Sequence, residues 1–363
     1  MKRDPITSCL VACTLLGLLA CSKDHDANRP GVTRTAPGAV SDAKPAPFDA
    51  GPVKIALVQN SGAGDYFEQW TAGVRRQADA AGFEIQIYDA KADPGRQAGD
   101  MKTAIESGVK GIIVDHGLAG TMCPLVRQAT EAGIAVVVYD IEITECAPKA
   151  VETEQDDAQL ATLVLTQMAK DVGEGIAVGY VNVLGIAPFD RRDVVWKQFV
   201  AEHKWGQKFF VGKFTHDVAT DNARLVDAAL KANPGVKAIF AAYDELAKGA
   251  ISAIEQSGRS PKLAMYGIDI SNADIALMTK KDSPWKATGT ADPRAVGAAV
   301  TRTLALQVAG QLGSKEVVFP GTLVTRSFLL ENQIKNMDDL RARMPALALA
   351  DVSSAGWLRP VTF

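Results

Sequence analysis

The sequence has few of the residues from which metal sites and catalytic centres are usually built. Its 363 residues include four histidines and five cysteines, and no Cys or His pair has the spacing of zinc ligands. The Gly-x-Ser-x-Gly elbow, the Walker phosphate loop and the His-Glu-x-x-His motif are all missing. We therefore expect a protein that is not an enzyme and has no metal or cofactor. A glycosidase-like carboxylate pair is the enzymatic alternative.

The chain also lacks an excess of either charge. Lys and Arg number 39 against 42 Asp and Glu, a formal net charge of -3, and this balance argues against a nucleic-acid-binding protein, which normally carries a basic domain. With 47% hydrophobic residues, the composition excludes a disordered or polytopic membrane protein. At about 150 residues per domain, the length predicts two domains.

The longest N-terminal apolar segment, residues 6–19, is shorter than the about 20 residues that a membrane span needs. It follows Lys2 and Arg3 and precedes small residues, as in a secretory signal peptide. The stretch Leu18-Leu-Ala-Cys21 resembles the lipobox of bacterial lipoproteins. The resemblance implies a signal peptide over 1–20 and a lipid on Cys21, whereas the alternative is an ordinary signal peptide with a coincidental cysteine.

Residues 21–52 show no apolar periodicity and are rich in Pro, Gly, Ala and Asp. Such a composition predicts a flexible tether between the anchor and the folded part. Beyond the anchor, only Cys123 and Cys146 remain in the mature chain. An exported protein can join them in a disulfide, and two free buried thiols are the alternative.

From Val53 onward, short β-branched runs alternate with amphipathic stretches. This alternation predicts parallel sheets with helices on both faces, and the two successive blocks predict two lobes of similar plan. In such sheets the ligand binds beyond the carboxyl ends of the strands. The predicted strands are 54–59, 84–88, 111–114, 135–139, 175–183, 208–214, 238–242 and 263–268, and the predicted helices include 67–81, 96–107, 125–132, 159–172, 222–232 and 245–257.

Several motifs occur in the order and spacing of the type I periplasmic sugar-binding proteins, and the chain resembles their ribose- and galactose-binding branch from about residue 53 to 335. The same fold serves LacI-type repressors, but no DNA-binding helix pair precedes it here. The motifs are Lys54-Ile-Ala-Leu-Val-Gln-Asn60, Asp65-Tyr-Phe67, Gly108-Val-Lys-Gly-Ile-Ile-Val-Asp115, Ala132-Gly-Ile-Ala-Val-Val-Val-Tyr-Asp140, Ala238-Ile-Phe-Ala-Ala-Tyr-Asp-Glu245, Tyr266-Gly-Ile-Asp269 and Ala287-Thr-Gly-Thr-Ala-Asp-Pro293.

The resemblance implies two doubly wound α/β lobes joined by a three-segment hinge. Lobe one is expected over 53–154 and 292–320, and lobe two over 155–291 and 321–335. Residues 336–363 form a C-terminal extension, which we expect to lie on one lobe because Trp357 needs a surface to pack on.

The resemblance also implies which residues contact the ligand. Aromatic rings give a sugar's C–H face a flat apolar surface, and carboxylates and amides accept its hydroxyl protons. A single Asp after a strand can equally cap the next helix, and His116 can serve either a ligand or its own loop. The expected contacts are Asn60, Asp65, Tyr66, Phe67, Asp115, Asp140, either Arg191 or Arg192, Phe214, Tyr243 and Asp269.

Two departures from the family pattern leave the ligand open. Tyr243 stands where the family usually has Asn, and Ile141 stands where the ribose branch has Arg. The aromatic and acidic set suits a neutral sugar or polyol, but a cationic or heteroaromatic ligand also fits.

These features predict a monomeric, lipid-anchored periplasmic protein that captures a small polar ligand and delivers it to the permease of an ABC importer. The alternatives are a sensory binding protein that signals to a membrane receptor and a transport lipoprotein with a non-sugar ligand. Which membrane holds the anchor is open.

The lipid anchor has a direct test. Cys21→Ala should move the protein from the membrane to the soluble periplasmic fraction and abolish fatty-acid labelling, because the acyl chains are the expected membrane contact. Unchanged membrane association of the variant would exclude the anchor.

Overall fold

A computed structural model describes residues 42–260 and 262–363. The predicted signal peptide, Cys21 and the tether up to residue 41 lie outside the described residues. No helix within the described ranges has the length and apolar character that crossing a membrane requires.

The described chain alternates strands and helices along most of its length. The strands are β1 (Val53–Gln59), β2 (Phe83–Asp89), β3 (Gly111–Asp115), β4 (Ala135–Tyr139), β5 (Val151–Gln155), β6 (Ala177–Val181), β7 (Gly206–Val211), β8 (Ala238–Ala241), β9 (Ala264–Ile268), β10 (Trp285–Thr290), β11 (Glu316–Phe319) and β12 (Thr322–Thr325). The helices are α1 (Asp65–Ala81), α2 (Pro94–Glu106), α3 (Ala119–Glu131), α4 (Asp157–Val172), α5 (Ala187–Glu202), α6 (Val218–Ala232), α7 (Asp244–Gln256), α8 (Asn272–Thr279), α9 (Pro293–Val308), α10 (Arg326–Glu331) and α11 (Met337–Arg343).

These strands form two six-stranded sheets, one per lobe. The order is β11-β5-β4-β3-β1-β2 in lobe one and β12-β10-β9-β8-β6-β7 in lobe two. All pairs are parallel except β10 with β12. Every residue of β3 and of β8 is buried, as expected for central strands with helices on both faces. The predicted two-lobed α/β fold is therefore confirmed.

The sheet membership of the strands shows where the chain passes between lobes. It leaves lobe one after β5, returns after β10, and crosses again between β11 and β12. These passages lie beside the expected boundaries at 154/155, 291/292 and 320/321. All of these passages are short.

Helices α1 and α9 pack closely in lobe one because glycine stands at both contact points. A Cβ at Gly73 would lie 2.0 Å from the Arg294 carbonyl oxygen, and one at Gly297 would lie 2.1 Å from that of Trp70. This contact fixes α1, whose first turn carries the site residues Tyr66 and Phe67.

The C-terminal extension passes from lobe two back to lobe one. Its first residues contact lobe two, where the Met337 backbone N–H donates to Asn272 Oδ1 (2.8 Å). Further along, the carbonyls of Leu349 and Val352 accept from the buried guanidinium of Arg302 on α9 (2.8 and 2.9 Å). Burial lowers the Arg302 pKa to about 10. The extension is thus a further connection between the lobes, beyond the crossings expected from the sequence.

The last part of the predicted tether belongs to the folded domain. Phe48 is buried and its ring packs on Phe83 and on Trp357 of the extension, with ring centroids 5.2 and 5.0 Å apart. Lys44 Nζ donates to the Ala81 carbonyl (3.0 Å). Residues 44 and 48, which were predicted to belong to the tether, therefore pack on the folded domain, and Phe48 covers an apolar surface there.

The structure pairs Cys123 with Cys146 in a disulfide, with Cα atoms 6.1 Å apart, a separation that a disulfide spans. Mass spectrometry of non-reduced peptides should recover the linked pair. Cys123→Ser with Cys146→Ser should lower the free energy of unfolding by about 3 kcal/mol, because the bond restricts the unfolded chain. Recovery of two free thiols from freshly purified protein would contradict the pairing.

Candidate functional site

The cavity that faces both lobes lies at the carboxyl ends of the parallel strands. The space inside it, including the part open to solvent, is about 670 Å³. Lobe one contributes residues that follow β1, β2 and β3 and the last residue of β5. Lobe two contributes residues that follow β6, β7, β8 and β9. The lining residues are Asn60, Tyr66, Phe67, Ala92, Pro94, His116, Gly117, Leu118, Gln155, Ile186, Pro188, Phe189, Arg192, Phe214, Tyr243 and Asp269.

Three polar residues at the strand ends adopt left-handed backbone conformations. The φ angles are 50° at His116, 55° at Asp140 and 73° at Asp269. Residues other than glycine rarely adopt such angles, and they concentrate at functional sites where the surrounding structure holds them. Of these residues, His116 and Asp269 line the cavity, and Asp140 pairs with Arg191 of the other lobe.

The structure brings most of the expected site residues together around this cavity. The residues that line it are Asn60, Tyr66, Phe67, Arg192, Phe214, Tyr243 and Asp269.

Asp65, Asp115 and Asp140 are the other expected contacts, and they are not among the lining residues. Each of the three is paired with another side chain. Asp65 accepts from Lys248 Nζ (2.7 Å), Asp115 contacts His116 Nδ1 (2.7 Å), and Asp140 accepts from Arg191 Nη2 (2.7 Å). Of the two arginines left open by the sequence, Arg192 is the one that lines the cavity.

A buried carboxylate, Asp157, holds both arginines. Its Oδ1 accepts from Arg192 Nε (2.7 Å) and its Oδ2 from Arg191 Nε (2.9 Å). Arg192 also donates through Nη1 to the Ala242 carbonyl (2.5 Å), and the same nitrogen lies 3.8 Å from Asp269 Oδ2. The Arg192 guanidinium is therefore fixed on one side and presented to the cavity on the other.

Several buried acceptors near the cavity have no hydrogen-bond partner among the described residues. They include Asp269 Oδ1 and Gln155 Oε1, both on residues that line the cavity, and Asp140 Oδ2 beneath it. Leaving a buried acceptor unpaired costs about 1–3 kcal/mol. A ligand that donates hydroxyl protons here would remove that cost.

Aromatic rings from both lobes form the other main part of the lining. Phe67 meets His116 edge-on at 5.2 Å and lies 6.3 Å from Tyr243, while Phe189 lies 5.8 Å from Tyr243 and 6.3 Å from Phe214. The cavity thus combines flat apolar surfaces with a few fixed polar groups, as small-molecule sites commonly do.

Burial changes the ionisation of the acidic groups. It raises the pKa of Asp269 to about 7, against the favourable charge of Arg192, and raises the pKa of Asp140 to about 6, with Asp157 adding to the increase. Burial opposes protonation of His116, but Asp115 and Asp140 outweigh it and raise the His116 pKa. Burial therefore makes the charged forms of Asp269 and Asp140 less favourable than they are in water.

The sequence analysis did not identify some of the residues that line the cavity, nor the buried carboxylate that holds the two arginines. Gln155 and Phe189 line the cavity, and Asp157 holds the arginines. Gln155 ends β5, a short strand that the apolar pattern did not reveal because its buried side chains include Thr153 and Gln155. His116, left open by the sequence, both lines the cavity and pairs with Asp115.

Ion pairs join the two lobes beside the cavity. Lys248 on α7 donates to Asp65 on α1 (2.7 Å), and Ser271 Oγ donates to the same Asp65 oxygen (3.0 Å). Arg191 on α5 contacts Asp140 (2.7 Å) and Glu154 (3.0 Å) of lobe one. The structure therefore has the lobes in contact across the cleft.

Comparison with known proteins agrees with this architecture. The family described as periplasmic binding protein domain matches residues 55–312. The ribose import binding protein of Bacillus subtilis (strain 168) is 25% identical over 264 residues, covering 72% of this chain and 83% of that protein.

Two solved structures share the fold across nearly their whole length. A 5-methylthioribose transporter solute-binding protein from Thermotoga lettingae TMO, solved with 5-methylthioribose, is 35% identical with a TM-score of 0.83, covering 87% of this chain and 98% of that chain. A sugar ABC transporter protein from Yersinia enterocolitica is 28% identical with a TM-score of 0.84, covering 88% and 98%.

The fold and cleft define a two-lobed binding protein. The chain belongs to the periplasmic binding protein domain family, which confirms the resemblance drawn from the motifs. Membership also confirms that the protein is a carrier and not an enzyme, and it places the protein in the periplasm.

Asp269 should make the free protein sensitive to pH. The pKa of Asp269 in the folded protein, about 7, lies above its value of about 3.9 in the unfolded chain. The folded state therefore favours the protonated carboxyl. This contribution to the free energy of unfolding is complete below about pH 4 and is lost as the pH rises through about 7. Asp269→Asn should raise the free energy of unfolding of the ligand-free protein at pH 8 by about 1 kcal/mol or more. Asparagine also tolerates the left-handed backbone.

Chemical denaturation at pH 4, 6 and 8 measures this effect. The matched control is Asp227→Asn, whose carboxylate forms a surface pair with Lys231 and should change stability little at any of these pH values. If Asp269→Asn is less stable than the native sequence at pH 8, the carboxylate stabilises the free protein and this assignment is wrong.

Proposed function

We propose that this protein captures a sugar or polyol between its lobes in the periplasm and delivers it to an ABC importer. The observation that carries the proposal is the pair of unpartnered buried acceptors, Asp269 Oδ1 and Gln155 Oε1, on opposite lobes of one aromatic-lined cavity. Vicinal hydroxyls donate to such acceptors and accept from Arg192, while the ring C–H face rests on the aromatic side chains.

The named relatives support this class of ligand and partner. They include ribose import binding proteins, D-apiose import binding proteins and a D-ribose/D-allose-binding protein. Solved structures of the same fold contain allitol, myo-inositol and D-allose. These ligands share several adjacent hydroxyl groups, which is the chemistry that the unpaired acceptors require.

Ligand capture is coupled to closure because the polar contacts come from both lobes. A ligand that touches Gln155 in lobe one and Asp269 in lobe two binds the closed form better than the open form and so shifts the equilibrium toward closure. The Lys248–Asp65 and Arg191–Asp140 pairs then join the lobes on either side. The permease would recognise this closed arrangement.

The lipid anchor at Cys21 and the monomeric state complete the proposal. An anchored binding protein stays close to its importer, and the acyl chains hold the folded domain through the segment that precedes residue 42. The Cys21→Ala fractionation test addresses the anchor, and sedimentation of the soluble domain addresses the monomer.

The ligand class is tested with a panel of pentoses, hexoses and polyols, read by thermal shift. A ligand at 100 times its dissociation constant adds about 2.7 kcal/mol of stability. With a binding ligand in hand, Asp269→Ala should weaken affinity about 100-fold, because a hydrogen bond to a charged group contributes about 1.5–3 kcal/mol. Asp227→Ala, on the surface of α6, should bind normally.

Small-angle scattering of the same samples tests closure. The radius of gyration should fall when the ligand is added to the native protein and should not fall for Asp269→Ala at the same ligand concentration. Normal binding by Asp269→Ala, or a tight ligand outside the sugar and polyol class, would contradict the proposed function.

A further inference from the structure

Three helices begin beside the cavity, at a point where the two lobes touch. They are α1 of lobe one, which begins at Asp65, and α7 and α8 of lobe two. Lys248, one turn into α7, contacts carboxylates of both lobes at this point. These belong to Asp65 of lobe one (2.7 Å) and, in lobe two, to Glu245 (2.6 Å), Asp244 (3.2 Å) and Asp274 (3.6 Å). Several carboxylates can share one lysine here because the dipoles of the helices favour negative charge at their N-terminal ends.

The lobe-two carboxylates place Lys248 for its contact with lobe one. The lysine side chain is largely buried, and burial disfavours its charge, but Asp244, Asp274 and Glu245 outweigh burial and raise the Lys248 pKa. Because these three partners belong to its own lobe, they hold the ammonium group whether or not lobe one is near. Lobe one therefore meets a donor that is already ordered, and closure does not have to fix a flexible side chain.

Asp65 supplies the lobe-one side of this contact. Its Oδ2 accepts from Lys248 Nζ (2.7 Å) and from Ser271 Oγ (3.0 Å), and both donors belong to lobe two. Burial opposes the charged form of Asp65, but Lys248 and Ser271 outweigh it and lower the pKa of the carboxyl. Contact with lobe two therefore stabilises the Asp65 charge, although other carboxylates already surround the lysine.

The position of Asp65 couples this contact to the cavity. Asp65 does not line the cavity, whereas the next two residues of α1, Tyr66 and Phe67, do. The same helix end thus brings aromatic side chains to the ligand and a carboxylate to lobe two. Closure of the lobes places all of them at once.

We propose that Asp65 sets the affinity for every ligand without touching any of them, by holding the lobes closed through Lys248 and Ser271. The inference rests on the proposed function, because it takes ligand capture to be coupled to closure. A residue that acts only on the population of the closed form changes the apparent affinity of all ligands by the same factor. A residue that contacts the ligand would instead affect ligands differently, according to the hydroxyl groups that each carries.

The first experiment measures the affinity of Asp65→Ala by isothermal titration calorimetry. It uses every sugar or polyol of the panel that binds the native protein, with D-ribose, D-allose and myo-inositol among those tried. We expect each ligand to bind about 5- to 10-fold more weakly, because the Asp65 side chain is 37% exposed and its charge-assisted hydrogen bonds contribute less than fully buried ones.

The matched control is Glu68→Ala. Glu68 lies in the same first turn of α1, is exposed, and forms no side-chain hydrogen bond or ion pair with the described part of the chain. This variant removes the same kind of charge from the same helix end and should bind every ligand as the native protein does. Urea denaturation checks that both variants are folded.

Ser271→Gly tests the second donor. It removes the hydroxyl group that donates to Asp65, and glycine is accepted at the N-cap of α8. Each ligand should bind about two- to threefold more weakly. The double variant Asp65→Ala with Ser271→Gly should bind no more weakly than Asp65→Ala alone, because the partner of the hydroxyl in lobe one is already missing. Losses that add would overturn this assignment.

Small-angle scattering of the ligand-free proteins measures closure directly. Asp65→Ala should have a larger radius of gyration than the native protein, and Glu68→Ala should not. An unchanged radius, an unchanged affinity, or losses that differ more than about threefold between ligands would each overturn the inference and leave the proposed function intact. If no member of the panel binds the native protein, the proposed function itself fails, and the scattering comparison alone decides whether Asp65 holds the lobes closed.

Discussion

The buried carboxylate of Asp157 holds the two arginines that connect the lobes and the cavity. It lies at the start of α4, next to the first passage between lobes, and accepts from both Arg191 and Arg192. Removing one partner from a buried charged pair leaves an uncompensated charge and costs several kcal/mol. Arg191 then extends to Asp140 in lobe one, and Arg192 extends into the cavity. One carboxylate thus sets the geometry both of a contact between the lobes and of the ligand-facing guanidinium.

Without a ligand, the site contains buried carboxylates whose charge and hydrogen bonding are only partly compensated. Asp269 and Asp140 have pKa values raised to about 7 and about 6, chiefly by burial. One oxygen of each accepts no hydrogen bond from the described part of the chain. A protein could remove this cost by substituting apolar residues, but it would then lose the groups that discriminate between ligands. This is the usual exchange of stability for function at a binding site. Asp140 and Asp269 also have left-handed backbone conformations directly after β4 and β9, where the sheets hold them in place.

The remaining structure connects the two lobes and packs the site residues within lobe one. Short passages after β5, after β10 and between β11 and β12 join the lobes. The C-terminal extension adds a further connection, from Asn272 in lobe two to Arg302 in lobe one. Glycines at 73 and 297 let α1 and α9 pack closely, and this packing holds the helix that carries Tyr66 and Phe67.

The sequence by itself determined the two-lobed architecture and the positions at which to look for the site. Alternating apolar strands and amphipathic helices are local patterns, and the parallel sheet follows from them. Asn60, Phe67, Phe214 and Asp269 were identifiable because they occupy positions that resemble the ligand-contacting positions of the family. Local patterns carry no information about which side chain pairs with which across the cleft. Only the tertiary structure decided that Asp65 pairs with Lys248 and that Asp140 pairs with Arg191, because these contacts join residues far apart in the chain.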